Sequence, residues 1–366
     1  MIRSYSKTLW AAFLVFGLGT VAIQSGCGEH TPSYSILPAA QQFVQDAEPV
    51  NAKVDILWVI DNSGSMATSQ ANLVNNFEAF IKDFVDNEYD FQMAVTTTDA
   101  YRAKPPFNGG SWNYNRSDFR DGANGNFSGV RIITPETPDI VETFVTNATQ
   151  GIWGHGDERP FESIVTTLDL TPATEGFLRE DAFLAIIILT DEDDFSHDGS
   201  NWARDDYNYP GLHSIGQYID FLDQYTGSSG DSRRYNVNSI SILDQECLDE
   251  VSYGVQKIGH RVHELVDETG GIKGSLCGDF RVILGSMSQL ILQLSTQFYL
   301  DREPVVSSIR VSINGEVVPH VDENPGPKKG GWSYNASANS ILFHGDYLPP
   351  QGAVISVNFD PTSMIF

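Results

Sequence analysis

Basic residues are scarce. The 366-residue chain has 22 lysines and arginines against 48 aspartates and glutamates, a formal net charge of −26. No Lys/Arg-rich run interrupts that excess, so the surface repels polyphosphates and offers nucleic acid no footing. Cysteine is nearly absent: Cys27, Cys247 and Cys277 allow at most one intrachain bridge. Several catalytic signatures are also missing. The chain lacks Gly-x-x-x-x-Gly-Lys, Gly-x-Ser-x-Gly and His-Glu-x-x-His, which argues against an NTPase, a serine hydrolase and a zinc protease. No repeat of 20–50 residues points to a solenoid or propeller. What is present suffices for packed cores: 41% hydrophobic and 11% aromatic residues, in a length that suits two or three domains of roughly 150 residues. The acidity suits a protein that captures divalent cations, a solvated acidic surface being the plainer reading.

The N-terminus reads as a targeting segment over residues 1–26. Arg3 and Lys7 precede an uncharged apolar stretch from Leu9 to Ile23, short of the ~20 residues that span a bilayer. It ends in Gln24-Ser25-Gly26-Cys27. Small residues before a cysteine resemble a bacterial lipobox, although Gln24 stands where leucine is usual. The expectation is lipidation at Cys27, against ordinary secretion or an uncleaved anchor, followed by a tether over 27–48. An exported chain meets an oxidising compartment, so Cys247 and Cys277 are expected to pair, the other reading being two free buried thiols. The expected location is the outer membrane, on either face.

Two continuous apolar runs, Val54–Ile60 and Phe183–Leu189, suit strands buried on both faces of a parallel sheet. Phe91–Thr96, Val130–Thr134 and Val237–Leu243 are further strand candidates. Helical spacing links Leu73, Phe77, Phe80, Ile81 and Phe84, and again Met287, Leu290, Ile291, Leu294 and Phe298. Residues 260–269 form a helix stopped by Gly270-Gly271. The alternation implies a doubly wound α/β domain with a mostly parallel, Rossmann-like sheet over 49–303. Beyond it, alternation at Ile309, Val311 and Ile313, with Asn314-Gly315 as a hairpin signal, opens a small all-β module over 304–366.

The first apolar run ends in Asp61-Asn62-Ser63-Gly64-Ser65, the second in Thr190-Asp191-Glu192-Asp193-Asp194. Asp61, Ser63 and Ser65 offer three hard oxygens from one turn, suited to Mg²⁺, Ca²⁺ or Mn²⁺. Ligands of such sheets bind at the carboxyl ends of the strands, where Asp191 also falls. The bland alternative is a capped helix start. These residues resemble a von Willebrand factor A domain with its metal-ion-dependent adhesion site. The bacterial lipoprotein branch is the nearest likeness, on Asp55–Met66 (DILWVIDNSGSM), Ile133–Pro138 (ITPETP), Thr190–Asp194 (TDEDD) and the terminal β module. Phe195 stands where many such chains have cysteine. The resemblance implies direct ligation by the serine pair, aspartates acting directly or through water, and one open position for a partner's acidic side chain. Its usual third element is a threonine. Here Glu158 takes that position, with Asp157 as rival, so a filled site would hold its ion more tightly and attract carboxylates less.

An insertion over 98–128 is rich in glycine and aromatics and reads as either a ligand-contacting loop, through Trp112, Tyr114 and Phe119, or a flap packed on the sheet. His260 and His263 share a helical face without a third ligand and read as packing residues. The function expected is non-enzymatic: cation-dependent binding of a protein or surface ligand by a membrane-anchored lipoprotein. The alternative is a structural or assembly subunit of an envelope complex whose ion only stabilises it.

Overall fold

A computed structural model describes residues 43–107, 117–170, 176–200, 206–228, 233–251, 256–323 and 328–362. The segments 1–26 and most of 27–48, with Cys27, lie outside these, as do Trp112 and Tyr114. Five parallel strands form the central sheet: β1 (Lys53–Ile60), β2 (Asp90–Thr97), β3 (Phe183–Leu189), β4 (Tyr235–Ser241) and β5 (Lys273–Ser275). Their order is β2-β1-β3-β4-β5. The chain steps from β1 to β2 on one side and then crosses to β3 on the other, so the strand order reverses at β1.

Helices cover both faces. These are α1 (Ala67–Asp86), α2 (Ile140–Ala148), α3 (Pro160–Leu170), α4 (Ile215–Thr226), α5 (Gln245–Val251), α6 (His260–Glu268) and α7 (Phe280–Ser295). Successive residues of a strand point to opposite faces, and β1 is apolar on both. Ile56, Trp58 and Ile60 join the cluster under α1, α2 and α7, whereas Leu57 and Val59 join the one under α3, α4 and α6. The buried Trp58 ring meets Phe80 and Phe144 edge-on, each at 5.1 Å. Asp55 is the buried charged exception. It is fully buried, takes two hydrogen bonds from Arg179, and has its carboxyl raised by burial against that pairing.

The strand expected over 130–134 is reduced to an antiparallel bridge between Met93 and Ile133. Its backbone groups are spent on side chains: Asn147 Nδ2 donates to the Val130 carbonyl at 2.7 Å, and the Thr134 amide donates to Thr137 Oγ1 at 2.9 Å. Phe298 is not the last member of α7. It lies in a two-residue strand, Phe298–Tyr299, paired with Ile341 and Ser340.

The C-terminal strands are β6 (Arg310–Ile313), β7 (Glu316–Val318), β8 (Gly330–Asn335), β9 (Ser340–Gly345) and β10 (Val354–Phe359). Asn314 and Gly315 have φ of 51° and 82°, the two positive values that a type I′ hairpin between β6 and β7 demands. The tether read over 27–48 ends earlier than expected. Phe43–Val44 and Glu48–Pro49 both pair antiparallel with β10, because β10 would otherwise present an open edge. The boundary at 303/304 divides no core. Residues 42–366 form one compact unit, and Ile341, Phe343, Ile355 and Phe359 share a hydrophobic cluster with Trp58 and Met287.

Candidate functional site

The site lies where β1 and β3 end. Asp61 continues the sheet, its amide donating to the Leu189 carbonyl at 2.9 Å. Its Oδ1 accepts the Ser63 amide at 2.8 Å and its Oδ2 accepts Thr190 Oγ1 at 2.8 Å. The first bond is an Asx turn, which folds the loop so that Ser63 Oγ and Ser65 Oγ stand 3.2 Å apart. The Asp191 carboxyl lies beside the Ser65 and Gln256 side chains, which partly offset the rise caused by its burial. Asp61, Ser63, Ser65 and Asp191 are thus brought together at the ends of β1 and β3.

Glu158 joins them and Asp157 does not. Glu158 Oε2 is 3.5 Å from Thr190 Oγ1, the hydroxyl that donates to Asp61, and its carboxyl meets that of Asp61. Asp157, by contrast, pairs with Arg159 at 2.8 Å. The Glu158 loop is docked onto the Asp61 loop by glycine. The Gly154 amide donates to the Asn62 carbonyl at 2.7 Å, and a Cβ at Gly154 would fall 2.3 Å from Asn62 Oδ1. Gln70 of α1 adds a second tie, donating to the carbonyls of Asp61 (2.7 Å) and Gly151 (2.9 Å).

Three carboxyls buried together repel one another. Glu158 is pushed well above the ordinary carboxylate range by burial and then by the charge of Asp61. Asp191 is raised for the same two reasons, to about 7. Glu158 Oε1 and Asp191 Oδ1 are buried without a hydrogen-bond partner. Hard oxygens, like charge and two orphaned acceptors fit a divalent cation, which would neutralise the repulsion and use the acceptors. Among the described residues no group of three or more His, Cys, Asp or Glu is placed to hold a metal, so a cation here would depend on the serine hydroxyls as much as on carboxylates.

The rest of the acidic run does other work. Asp193 accepts the Arg261 and Val262 amides at the start of α6, and Asp194 accepts the Phe161 amide at the start of α3. Both are helix caps, with no oxygen left over for a second ion between them. Phe119 is fully buried with its ring 4.9 Å from Phe177. It packs over the sheet and is not exposed to contact a ligand, contrary to the ligand-contact expectation. His263 accepts or donates at Ser241 Oγ, 3.0 Å away, and is a packing residue. Residues missed by the sequence reading are Gln70, Gly154 and Gln256, which are distant in sequence and marked by no local pattern; Thr190 lay in the quoted strand-end motif, but its bond to Asp61 was not anticipated.

The disulfide between Cys247 and Cys277 is formed, with Cα atoms 5.7 Å apart. It ties α5 to the loop after β5, toward the far end of the sheet from β1. Among the described residues no helix is long and apolar enough to cross a membrane.

No family profile and no curated sequence matches the chain. Solved structures with some likeness include the pilus adhesin SpaC of Lactobacillus rhamnosus GG in its open conformation, with a TM-score of 0.41, 10% identity, and coverage of 87% of this chain and 42% of that one. Proximal thread matrix protein 1 of the mussel byssus is another, with a TM-score of 0.35, 12% identity, and coverage of 70% and 51%. The chain spans about half or less of these proteins, and likenesses at this level carry no inference about function.

Proposed function

We propose that the chain is an exported, lipid-anchored binding protein built on a von Willebrand factor A-type domain. It captures a protein or surface ligand through a divalent cation held by Asp61, Ser63, Ser65, Glu158 and Asp191. Mg²⁺ is the first candidate, with Ca²⁺ or Mn²⁺ as alternatives. The anchor is diacylated Cys27, and the chain acts by recognition, not by catalysis. The observation that carries the metal reading is the burial of Glu158 and Asp191 beside Asp61 with an orphaned oxygen on each of the first two. When bound, the cation supplies positive charge and an oxygen-accepting coordination position. Ser63 and Ser65 present hydroxyls to it, while Thr190 fixes the Asp61 carboxylate.

A second reading is favoured by depth: Asp61, Glu158 and Asp191 are all buried, which suits an ion that only stabilises an envelope subunit. One experiment separates the two. Envelope extract is passed over the immobilised protein with and without EDTA, and melting temperature is followed in the same buffers. Loss of a captured partner at unchanged melting temperature supports adhesion. A fall in melting temperature with no partner captured in either buffer supports the stabilising ion, and no cation binding at all sinks both.

A further inference from the structure

We infer that Arg159 is a positioning residue that forces the Glu158 carboxylate against Asp61 and thereby sets the cation affinity of the proposed site. The inference rests on the metal reading above. Few contacts hold the Glu158 carboxyl in place: Oε1 is buried without a hydrogen-bond partner, and the contact of Oε2 with Thr190 Oγ1 is long, at 3.5 Å. A buried carboxyl with so few partners needs a backbone that cannot relax.

Arg159 provides that restraint. Its side chain is fully buried, which is rare for arginine and demands full pairing. Nε and Nη2 donate to the two carboxylate oxygens of Asp157, at 3.3 and 2.8 Å. Nη1 donates to the carbonyls of His197 (2.6 Å) and Gly199 (3.1 Å). The guanidinium lies 4.9 Å from the ring centroids of both Tyr101 and Phe107. Tyr101 in turn donates its hydroxyl to the Asp157 carbonyl at 2.8 Å, and the Arg159 amide donates to the Thr98 carbonyl at 3.2 Å. Three segments, after β2, after β3 and before α3, therefore close on one side chain. Glu158 sits between the two members of the ion pair, so its main chain is fixed on both sides. Only a planar guanidinium can span this set of acceptors; an ammonium satisfies fewer of them.

The test is a double-mutant cycle read by isothermal titration of Ca²⁺ and Mg²⁺ into the full chain, with the melting temperature of the metal-free protein as a control. Arg159→Lys keeps the buried charge but not the fork. It is expected to weaken cation binding by about tenfold or more, the usual effect of disturbing a residue behind a metal ligand. In a Glu158→Thr background the same change should alter affinity less than about twofold, because the side chain it positions is gone. The variant Asp157→Asn/Arg159→Gln removes both charges of the pair, guards against misfolding from an uncompensated ion, and should behave like Arg159→Lys. Equal losses in both backgrounds would mean a general structural role and overturn the inference. Unchanged affinity in Arg159→Lys would do the same while leaving the metal reading standing. A wild-type protein that binds neither cation overturns that reading and this inference together.

Discussion

Glu158 is the residue on which the chemistry of the site turns. Three ionised carboxylates around one divalent cation leave a negative charge, whereas two leave none. Replacing Glu158 with threonine should therefore weaken cation binding about tenfold, the effect of roughly 1.4 kcal/mol. It should also strengthen capture of carboxylate-bearing ligands. The metal-free protein should gain stability on the order of 1 kcal/mol, because a buried carboxyl with an unpartnered oxygen disappears. Asp61→Ala should lose cation and ligand together, since Asp61 also orders the Ser63 amide and Thr190. Calorimetric titration and thermal melts of both variants check these outcomes. A Glu158→Thr protein with wild-type affinity would mean that the glutamate does not contribute.

At the scale of elements, two devices flank the sheet. The Cys247–Cys277 bridge closes a loop of 30 residues that contains α6. Chain-entropy arguments give such a loop about 3 kcal/mol. The double variant Cys247→Ser/Cys277→Ser should lose about that much in denaturant unfolding; a change below about 0.5 kcal/mol would contradict the estimate. His263 of α6 is lowered to about 4 by burial, with Lys273 and His260 adding repulsion. Its folded value thus lies below its ordinary 6.5, and the unfolded chain binds the extra proton between those values. Its contribution is present above pH 6.5 and is lost as pH falls toward 4. His263→Gln should flatten the fall of melting temperature across that window relative to wild type. Parallel curves would show that His263 titrates alike in both states.

The whole molecule is one packed unit beyond residue 42, not an α/β domain with a detachable tail. The Tyr89 hydroxyl donates to the Pro349 carbonyl at 2.6 Å, and Gly352 donates to the Val50 carbonyl at 2.8 Å. A protein cut to residues 49–303 should therefore expose apolar surface of α7 and of the Phe298 strand, bind a hydrophobic dye and aggregate on heating. A monomeric, dye-silent 49–303 fragment with the parent melting temperature would show the module to be separate. Anchoring is tested at the same scale. Cys27→Ser should abolish lipid modification of the mature N-terminus by mass spectrometry, and an unmodified Cys27 in the parent would remove the anchor from the proposal.

The parallel sheet was legible in the sequence because a strand buried on both faces must be apolar throughout, as Val54–Ile60 and Phe183–Leu189 are. The loop after β1 was legible too, since Asp61, Ser63 and Ser65 lie within one turn and local geometry alone brings them together. The β6–β7 hairpin followed from Asn314-Gly315 for the same reason. Tertiary structure decided what depends on residues far apart in the chain. The 130–134 segment lost its ladder to Asn147 and Thr137, Phe43–Pro49 joined β10, and Phe119 turned inward onto Phe177. It also separated Glu158 from Asp157. Two adjacent acids are equivalent in sequence, but only one could face Asp61 once Arg159 had drawn the other into a buried ion pair.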